Sequence, residues 1–213
     1  VWSAGNGGGI GDRSDYDGYA SSKYTIAVGA IDDSGRKSNY SEEGSNIVVV
    51  APSSGGAQEV LTATFGLGVD DDDNPIRTTA YTTGFGGTST SAALVSGVVA
   101  LMLEEAPNLT WRDVQNILIR TAKKVDANDG DWIDNAAGLS FNHKYGAGLV
   151  DAAVAVDSAS RTAAGTNPSL GAAERHQRSR FFSSLSNDPS IQSGEVPDND
   201  GSSLLIGFDM TTD

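Results

Sequence analysis

A long run of small and apolar residues in the middle of the chain constrains the fold most. It begins with the small residues of 87–97 and continues as the apolar series 98–103. This composition predicts a helix that is buried on most of its surface. Ser89 then lies at the N-terminus of that helix, where free amide groups and the helix dipole favour negative charge. The position suits a nucleophile in acyl transfer, although for a Gly-Thr-Ser triplet alone a capping serine on a core helix is the simpler interpretation.

Other patterns predict strands that alternate with helices. The β-branched runs 24–31 and 47–51 are typical of buried strands. Thr110 and Asp113 form a capping-box-like start for a second helix, and a short third helix is predicted at 149–159. This alternation indicates an α/β sandwich with a mainly parallel sheet.

Charge and composition exclude several classes of partner. The chain has 213 residues and a formal net charge of -14, so nucleic acid and anionic membrane surfaces are poor partners. No stretch is long and apolar enough to span a bilayer, and the absence of cysteine excludes disulfides and thiolate metal sites. The acidic run 70–73 lies in a polar segment, 62–86, which we interpret as a surface insertion. A solvated run is the usual explanation there, and calcium binding is an alternative.

A glycine-rich segment near the N-terminus looks at first like a phosphate-binding loop. The dinucleotide pattern requires glycine at its sixth position, where Ile10 or Asp12 stands in the two possible registers. The phosphate-loop hypothesis therefore fails. Asp12, Asp15 and Asp17 follow on the same loop, and on residue type alone they indicate a solvated acidic loop.

Short motifs lie in a fixed order between residues 1 and 159. They are Ser-Ala-Gly-Asn-Gly-Gly at 3–8, Asp-Gly-Tyr at 17–19, Tyr-Thr-Ile at 24–26, Tyr-Ser-Glu at 40–42, Gly-Thr-Ser at 87–89, Leu-Thr-Trp-Arg-Asp-Val-Gln at 109–115 and His-Lys-Tyr-Gly-Ala-Gly-Leu-Val-Asp-Ala at 143–152. In this order and spacing the chain resembles the subtilisin-like serine proteases, in particular the kexin and furin branch of calcium-dependent proprotein convertases. The resemblance implies a subtilisin-like three-layer sandwich.

The resemblance also implies roles for individual residues. Ser89 matches the nucleophile, and Asn6 matches the amide of the oxyanion hole. Without the resemblance, Asn6 would be interpreted as a turn residue among glycines.

Four acidic or aromatic positions match the binding sites of the family. Asp17 matches a buried specificity-pocket acid that pairs with a substrate Arg or Lys, and Tyr19 matches a residue of an outer subsite. Asp12 and Glu42 match two ligands of a calcium ion. Asp15 matches no family site and stays in the solvated class.

The resemblance predicts three segments. Residues 1–160 are expected to be the C-terminal portion of a catalytic domain, 161–193 a linker, and 194–213 the truncated start of a β-rich P domain. The triad Asp and His of the family lie before the oxyanion Asn, so we expect them in a missing N-terminal part, which is also a possible partner. His143 is interpreted as structural, and the basic cluster 175–180 as a solvated linker or a processing site.

The predicted function is that of a calcium-dependent serine endopeptidase that cleaves peptides or proteins after basic residues, with this chain alone inactive. The family's disulfide cysteines are absent, which indicates a bacterial rather than a eukaryotic member, and the resemblance implies a secreted or periplasmic location. Two alternatives stay open. One is a broad-specificity bacterial subtilase that does not need Asp17. The other is a non-catalytic, calcium-stabilised binding module.

Overall fold

Three short parallel strands form the sheet that carries the candidate site. The computed structural model describes residues 1–64, 67–69, 75–77 and 81–165. The strands are β1 (Trp2–Ser3), β2 (Ala27–Ile31) and β3 (Ile47–Pro52), in the order β1-β2-β3. Every residue of β2 is buried, as expected for a β-branched strand covered on both faces. The two predicted strands are therefore confirmed, with β2 beginning three residues later than the run at 24–31.

Three helices pack against one face of this sheet. They are α1 (Thr88–Glu105), α2 (Trp111–Thr121) and α3 (Ala152–Ala163). Val28 and Val49 form a shared core with residues of all three helices. The opposite face, at Val50, is covered by a loop that brings Tyr145 and Trp132 onto the sheet.

The helix boundaries follow from their caps. Thr110 Oγ1 accepts a hydrogen bond from Asp113 N at 3.3 Å, and an Asp113 carboxylate oxygen accepts one from Thr110 N at 2.9 Å. This confirms the predicted capping box of α2. α3 begins at Ala152 rather than at 149, because Asp151 caps it by accepting from Val154 N at 3.1 Å.

The burial of α1 differs from the expectation. Its buried residues lie on one side of the helix, and they include Val95 and Met102. Leu94 and Leu101, on the other side, are 48% and 50% exposed. Within the described ranges, the sheet and α3 cover only the first side. The prediction that the helix is buried on most of its surface is therefore wrong for this part of the chain.

Antiparallel strands precede α1. Strand β4 (Val60–Ala63) pairs with β7 (Tyr81–Phe85), and β5 (Leu67–Val69) pairs with β6 (Pro75–Arg77). A further pair, β8 (Ile133–Asp134) and β9 (Ser140–Phe141), lies between α2 and α3. The side chains of β4 and β7 are exposed or half-buried, which agrees with a surface insertion at 62–86.

Several predicted segments lie outside the described residues. They are the acidic run 70–73, most of the linker 161–193 with its basic cluster, and the whole segment 194–213. Their assignments stay predictions. Among the helices that the structure does describe, none is long and apolar enough to cross a membrane.

Candidate active site

Ser89 is presented to solvent by a sharp turn at the start of α1. Gly87 precedes the helix with φ 82°, a left-handed conformation that favours glycine. Thr88 and Thr90 are buried, whereas Ser89 between them is exposed. The turn therefore exposes one hydroxyl in the first turn of a helix, where unpaired backbone amides favour a developing negative charge.

Asn6 lies beside the same turn. Its Oδ1 accepts hydrogen bonds from Thr88 N and Thr88 Oγ1, both at 2.9 Å. Gly5 N donates to Thr88 Oγ1 at 3.2 Å. A Cβ built on Gly87 would lie 3.1 Å from Asn6 Nδ2, so the amide nitrogen borders the turn. Within the described part of the chain, this nitrogen donates to no protein acceptor.

The carboxyl end of β3 holds the other side of the turn. Ser91 Oγ donates to Ala51 O at 2.8 Å, and Ser53 Oγ donates to Gly87 O at 2.8 Å. The segments that follow β1 and β3 therefore meet the N-terminus of α1 at one edge of the sheet. In α/β folds with parallel sheets this edge is the usual place for a binding or catalytic site.

Asp12 and Glu42 converge on the loop that contains Asn6. Glu42 is 7% exposed, and its Oε1 accepts from Gly7 N at 2.9 Å. A Cβ built on Gly7 would lie 3.1 Å from Asp12 Oδ2 and 3.1 Å from Glu42 Oε1. A Cβ on Gly5 would overlap the Glu42 carboxylate, so only glycine allows this approach.

Asp12 and Glu42 provide the type of oxygen ligand that calcium prefers. Calcium takes six to eight oxygen ligands, and Asp12 and Glu42 offer hard carboxylate oxygens on both sides of Gly7. Across the described ranges, no group of three or more acidic, histidine or cysteine side chains is arranged to hold a metal ion. These residues can thus supply only part of a coordination sphere.

Asp17 and Tyr19 lie at the surface next to β1. Asp17 Oδ1 accepts from Tyr19 N at 2.7 Å and from Ala20 N at 3.0 Å. The carboxylate is exposed rather than buried as predicted, because it caps a surface turn. Tyr19 is 72% exposed, and its ring stacks on Trp2 with centroids 5.4 Å apart. Trp2, which the sequence analysis did not assign, therefore supports the predicted outer-subsite residue.

Asp15 is not a solvated acid. Its carboxylate accepts from Arg13 Nε at 3.0 Å and from Arg13 Nη2 at 2.8 Å. Ser45 N also donates to it, at 3.2 Å. Hydrogen bonding to the Arg13 guanidinium lowers the pKa of the Asp15 carboxyl to about 2. The prediction for Asp15 is wrong, because the residue joins two loops that are distant in sequence.

The low pKa of Asp15 predicts an acid-sensitive contribution to stability. A carboxylate with a lowered pKa stabilises the folded state above its unfolded pKa of about 3.9 and loses this effect as the pH falls towards 2. We expect Asp15→Asn to lower the free energy of unfolding by about 1 kcal/mol at pH 7. In urea denaturation the difference from wild type should shrink between pH 4 and pH 2. Asp157→Asn, which removes an exposed carboxylate paired with Arg161, serves as the control and should change stability little. A difference that stays constant down to pH 2 would contradict the prediction.

His143 contacts the loop after β2 through its backbone. Its carbonyl accepts from Gly44 N at 2.9 Å, and its exposed ring meets Phe141 edge-on with centroids 5.3 Å apart. These contacts agree with the structural role expected for it.

Tyr40 is a residue near the turn to which the motif at 40–42 gave no role. Its hydroxyl lies 2.9 Å from Ser53 Oγ, the group that donates to Gly87 O.

Comparison with known proteins identifies the class. Residues 1–148 match the peptidase S8 model, the subtilase family. Since this match covers more than half of the chain, the chain belongs to the subtilase family.

The individual relatives are kexin-like. The chain is 41% identical over 152 residues to mouse proprotein convertase subtilisin/kexin type 7, covering 71% of this chain and 19% of that protein. It is 42% identical over 153 residues to kexin of Saccharomyces cerevisiae, covering 71% of this chain and 17% of that protein. The chain thus spans less than a fifth of the length of either relative. The predicted kexin-like branch is confirmed.

Solved structures support the fold. The serine protease of Aeromonas sobria matches with a TM-score of 0.63 and 25% identity, over 73% of this chain and 35% of that chain. Fervidolysin from Fervidobacterium pennivorans, a keratinolytic enzyme related to subtilisin, matches with a TM-score of 0.53 and 27% identity, over 73% and 22% of the two chains. The predicted subtilisin-like fold class is confirmed.

Proposed function

We propose that the protein containing this chain is a calcium-dependent serine endopeptidase that cleaves after basic residues, outside the cytoplasm. The observation that carries the proposal is that an exposed Ser89 at a helix N-terminus follows Thr88, whose backbone N–H donates to the Asn6 side chain. Membership of the subtilase family and the identity to kexin-like convertases support it.

The chemistry follows from the turn. Ser89 Oγ attacks the substrate carbonyl, the carbon–nitrogen bond breaks, and the acyl group stays on Oγ until water hydrolyses the ester. Asn6 Nδ2 donates to the carbonyl oxygen while that oxygen carries negative charge in both tetrahedral intermediates. The proton of Oγ passes to a histidine base and then to the leaving amine. Neither His143 nor His176 matches that base, so we assign it to a part of the protein outside residues 1–213.

Calcium has a structural role in this proposal. Asp12 and Glu42 would hold the ion together with oxygen ligands from elsewhere, and the bound ion would neutralise two neighbouring carboxylates. Glu42 also accepts from Gly7 N, so it links the calcium position to the loop that carries Asn6. Loss of the ion should therefore loosen the loop that positions Asn6.

A fluorophosphonate probe tests the proposed activity. The full-length gene product is labelled with and without calcium, and the modified residue is located by peptide mapping. We expect calcium-dependent labelling on Ser89, and little or no labelling of the 213-residue chain alone. If the folded, calcium-loaded, full-length protein carries no label on Ser89, the proposed peptidase activity is excluded and the non-catalytic binding module is favoured.

The basic-residue preference depends on Asp17. A charge-assisted hydrogen bond contributes about 1.5–3 kcal/mol, so we expect the full-length protein to prefer Arg over Leu before the cleaved bond by roughly tenfold to a hundredfold in kcat/KM. Asp17→Ala should remove most of this preference by lowering the rate for the Arg peptide. Asp33→Ala is the matched control, because the Asp33 carboxylate also accepts from two loop amides, Ala57 N and Gln58 N. Equal rates for Arg and Leu peptides with the wild type would instead indicate a broad-specificity subtilase.

A further inference from the structure

A chain of two hydroxyl groups connects the end of β3 to the turn before Ser89. Ser53 follows β3 and is 5% exposed, and its Oγ donates to Gly87 O at 2.8 Å. The Tyr40 hydroxyl lies 2.9 Å from Ser53 Oγ and 2.7 Å from Ser54 O. Since the Ser53 proton points to Gly87, its oxygen can accept from Tyr40, whose single proton is shared between Ser53 Oγ and Ser54 O.

The turn before Ser89 depends on contacts with other segments for its conformation. Gly86 and Gly87 are consecutive glycines, and this residue type restricts backbone dihedrals least. A Cβ built on Gly86 would overlap Ser54 Oγ, so the turn lies directly against the residues that follow β3. The local contact that Gly87 O makes is with Thr90 N at 3.1 Å, within the first turn of α1.

The peptide unit between Gly87 and Thr88 is held at both of its poles. Its carbonyl oxygen accepts from Ser53 Oγ, and its N–H donates to Asn6 Oδ1. Rotation of this unit would break one or both of these hydrogen bonds. Because Ser89 is the next residue, the orientation of the unit sets the direction of the Ser89 hydroxyl relative to Asn6.

We propose that Ser53, supported by Tyr40, is a positioning residue for the Ser89 nucleophile. This inference rests on the proposed peptidase function. Ser53 is buried and acts through Gly87 rather than on the substrate. Small displacements of a reacting group lower the rate strongly, by about a hundredfold for about 1 Å, so loss of this contact should affect turnover more than substrate binding.

Three substitutions in the full-length protein test the proposal kinetically. We expect Ser53→Ala to lower kcat roughly tenfold with KM within about twofold, and Tyr40→Phe to lower kcat by a smaller factor, because Ser53 can still donate to Gly87. Thr121→Val is the control. Thr121 lies in α2 and its Oγ1 donates to Ile117 O at 2.7 Å, so this variant also loses a side-chain hydrogen bond to a backbone carbonyl but leaves the contacts of Tyr40, Ser53 and Gly87 untouched. Its kcat should equal that of the wild type.

A second readout does not depend on catalysis. Hydrogen exchange of the amides of residues 88–92 should be faster in Ser53→Ala than in the wild type, and unchanged in Thr121→Val. Equal exchange and equal kcat in the two variants would overturn the proposal. If Ser53→Ala does not fold, Tyr40→Phe is compared with Thr121→Val in the same way. If the wild type shows no labelling at Ser89, the proposed function fails, whereas the exchange comparison still decides whether Ser53 positions the turn.

Discussion

Ser89→Ala is expected to lower the turnover of peptide substrates by the full-length protein by about 10⁶-fold. The substitution removes the only atom of this side chain that can form the acyl ester, and it leaves Asn6 and the turn in place. Since Ser89 is exposed, we expect Ser89→Ala to change the free energy of unfolding by less than about 0.5 kcal/mol. Turnover of a basic peptide, measured together with thermal unfolding, checks both statements.

Ser96→Ala provides the control for the same helix. Ser96 is also exposed on α1, and its Oγ bonds back to Ala92 O at 2.8 Å. This variant should keep wild-type turnover. Residual turnover of a tenth or more in Ser89→Ala would mean that another group attacks the substrate, and it would contradict the assignment of Ser89.

Asn6→Ala is expected to lower kcat by about a hundredfold to a thousandfold, the usual effect of removing one oxyanion-hole donor. The loss should appear in kcat with little change in KM, because the hydrogen bond strengthens as the carbonyl oxygen gains charge. Steady-state kinetics on the full-length protein measure the changes in kcat and KM separately.

The second role of Asn6 requires a separate control. Its Oδ1 also binds Thr88 N and Thr88 Oγ1, so Asn6→Ala removes a restraint on the turn together with the donor. Thr88→Val removes the hydroxyl that contacts Asn6 and Gly5 but keeps Asn6 Nδ2. We expect a loss in kcat of less than about tenfold for Thr88→Val. A loss as large as that of Asn6→Ala would show that Asn6 acts through the turn rather than on the substrate.

Local patterns predicted the helices well. The cap of α2 depends on Thr110 and Asp113, which are three residues apart, and the end of α1 near Glu105 follows from the end of its apolar series. Such contacts lie within one or two turns, so residue order alone reveals them.

The two misinterpreted acids differ in the range of their contacts. Asp15 is fixed by Arg13 on its own loop and by Ser45, which lies 30 positions away. The contact with Ser45 forms only when the loops after β1 and β2 come together, so no local pattern reveals it. Asp17 was expected to be buried because of the family resemblance, whereas its contacts are local and cap a surface turn at Tyr19 and Ala20.

The contacts that support the candidate nucleophile also join residues that are distant in sequence. Ser53 lies 34 positions from Gly87, and Tyr40 lies 13 positions from Ser53. Serines after a strand are common in loops, so nothing in the residue pattern distinguished this one. The family motifs suggested roles for Ser89, Asn6 and Glu42 but did not predict the contacts that join their loops.

The hydrogen bonds between the loop after β1 and the start of α1 have a consequence for the order of folding. Gly5 and Asn6 bond to Thr88 across 83 and 82 positions of sequence. Contacts of such separation are slow to form, because the intervening chain must first lose much of its freedom. We therefore expect Ser89 and Asn6 to come together late, after the parallel strands, whose paired residues lie closer in sequence. If the protein is the proposed peptidase, its activity should return only at this late step of refolding.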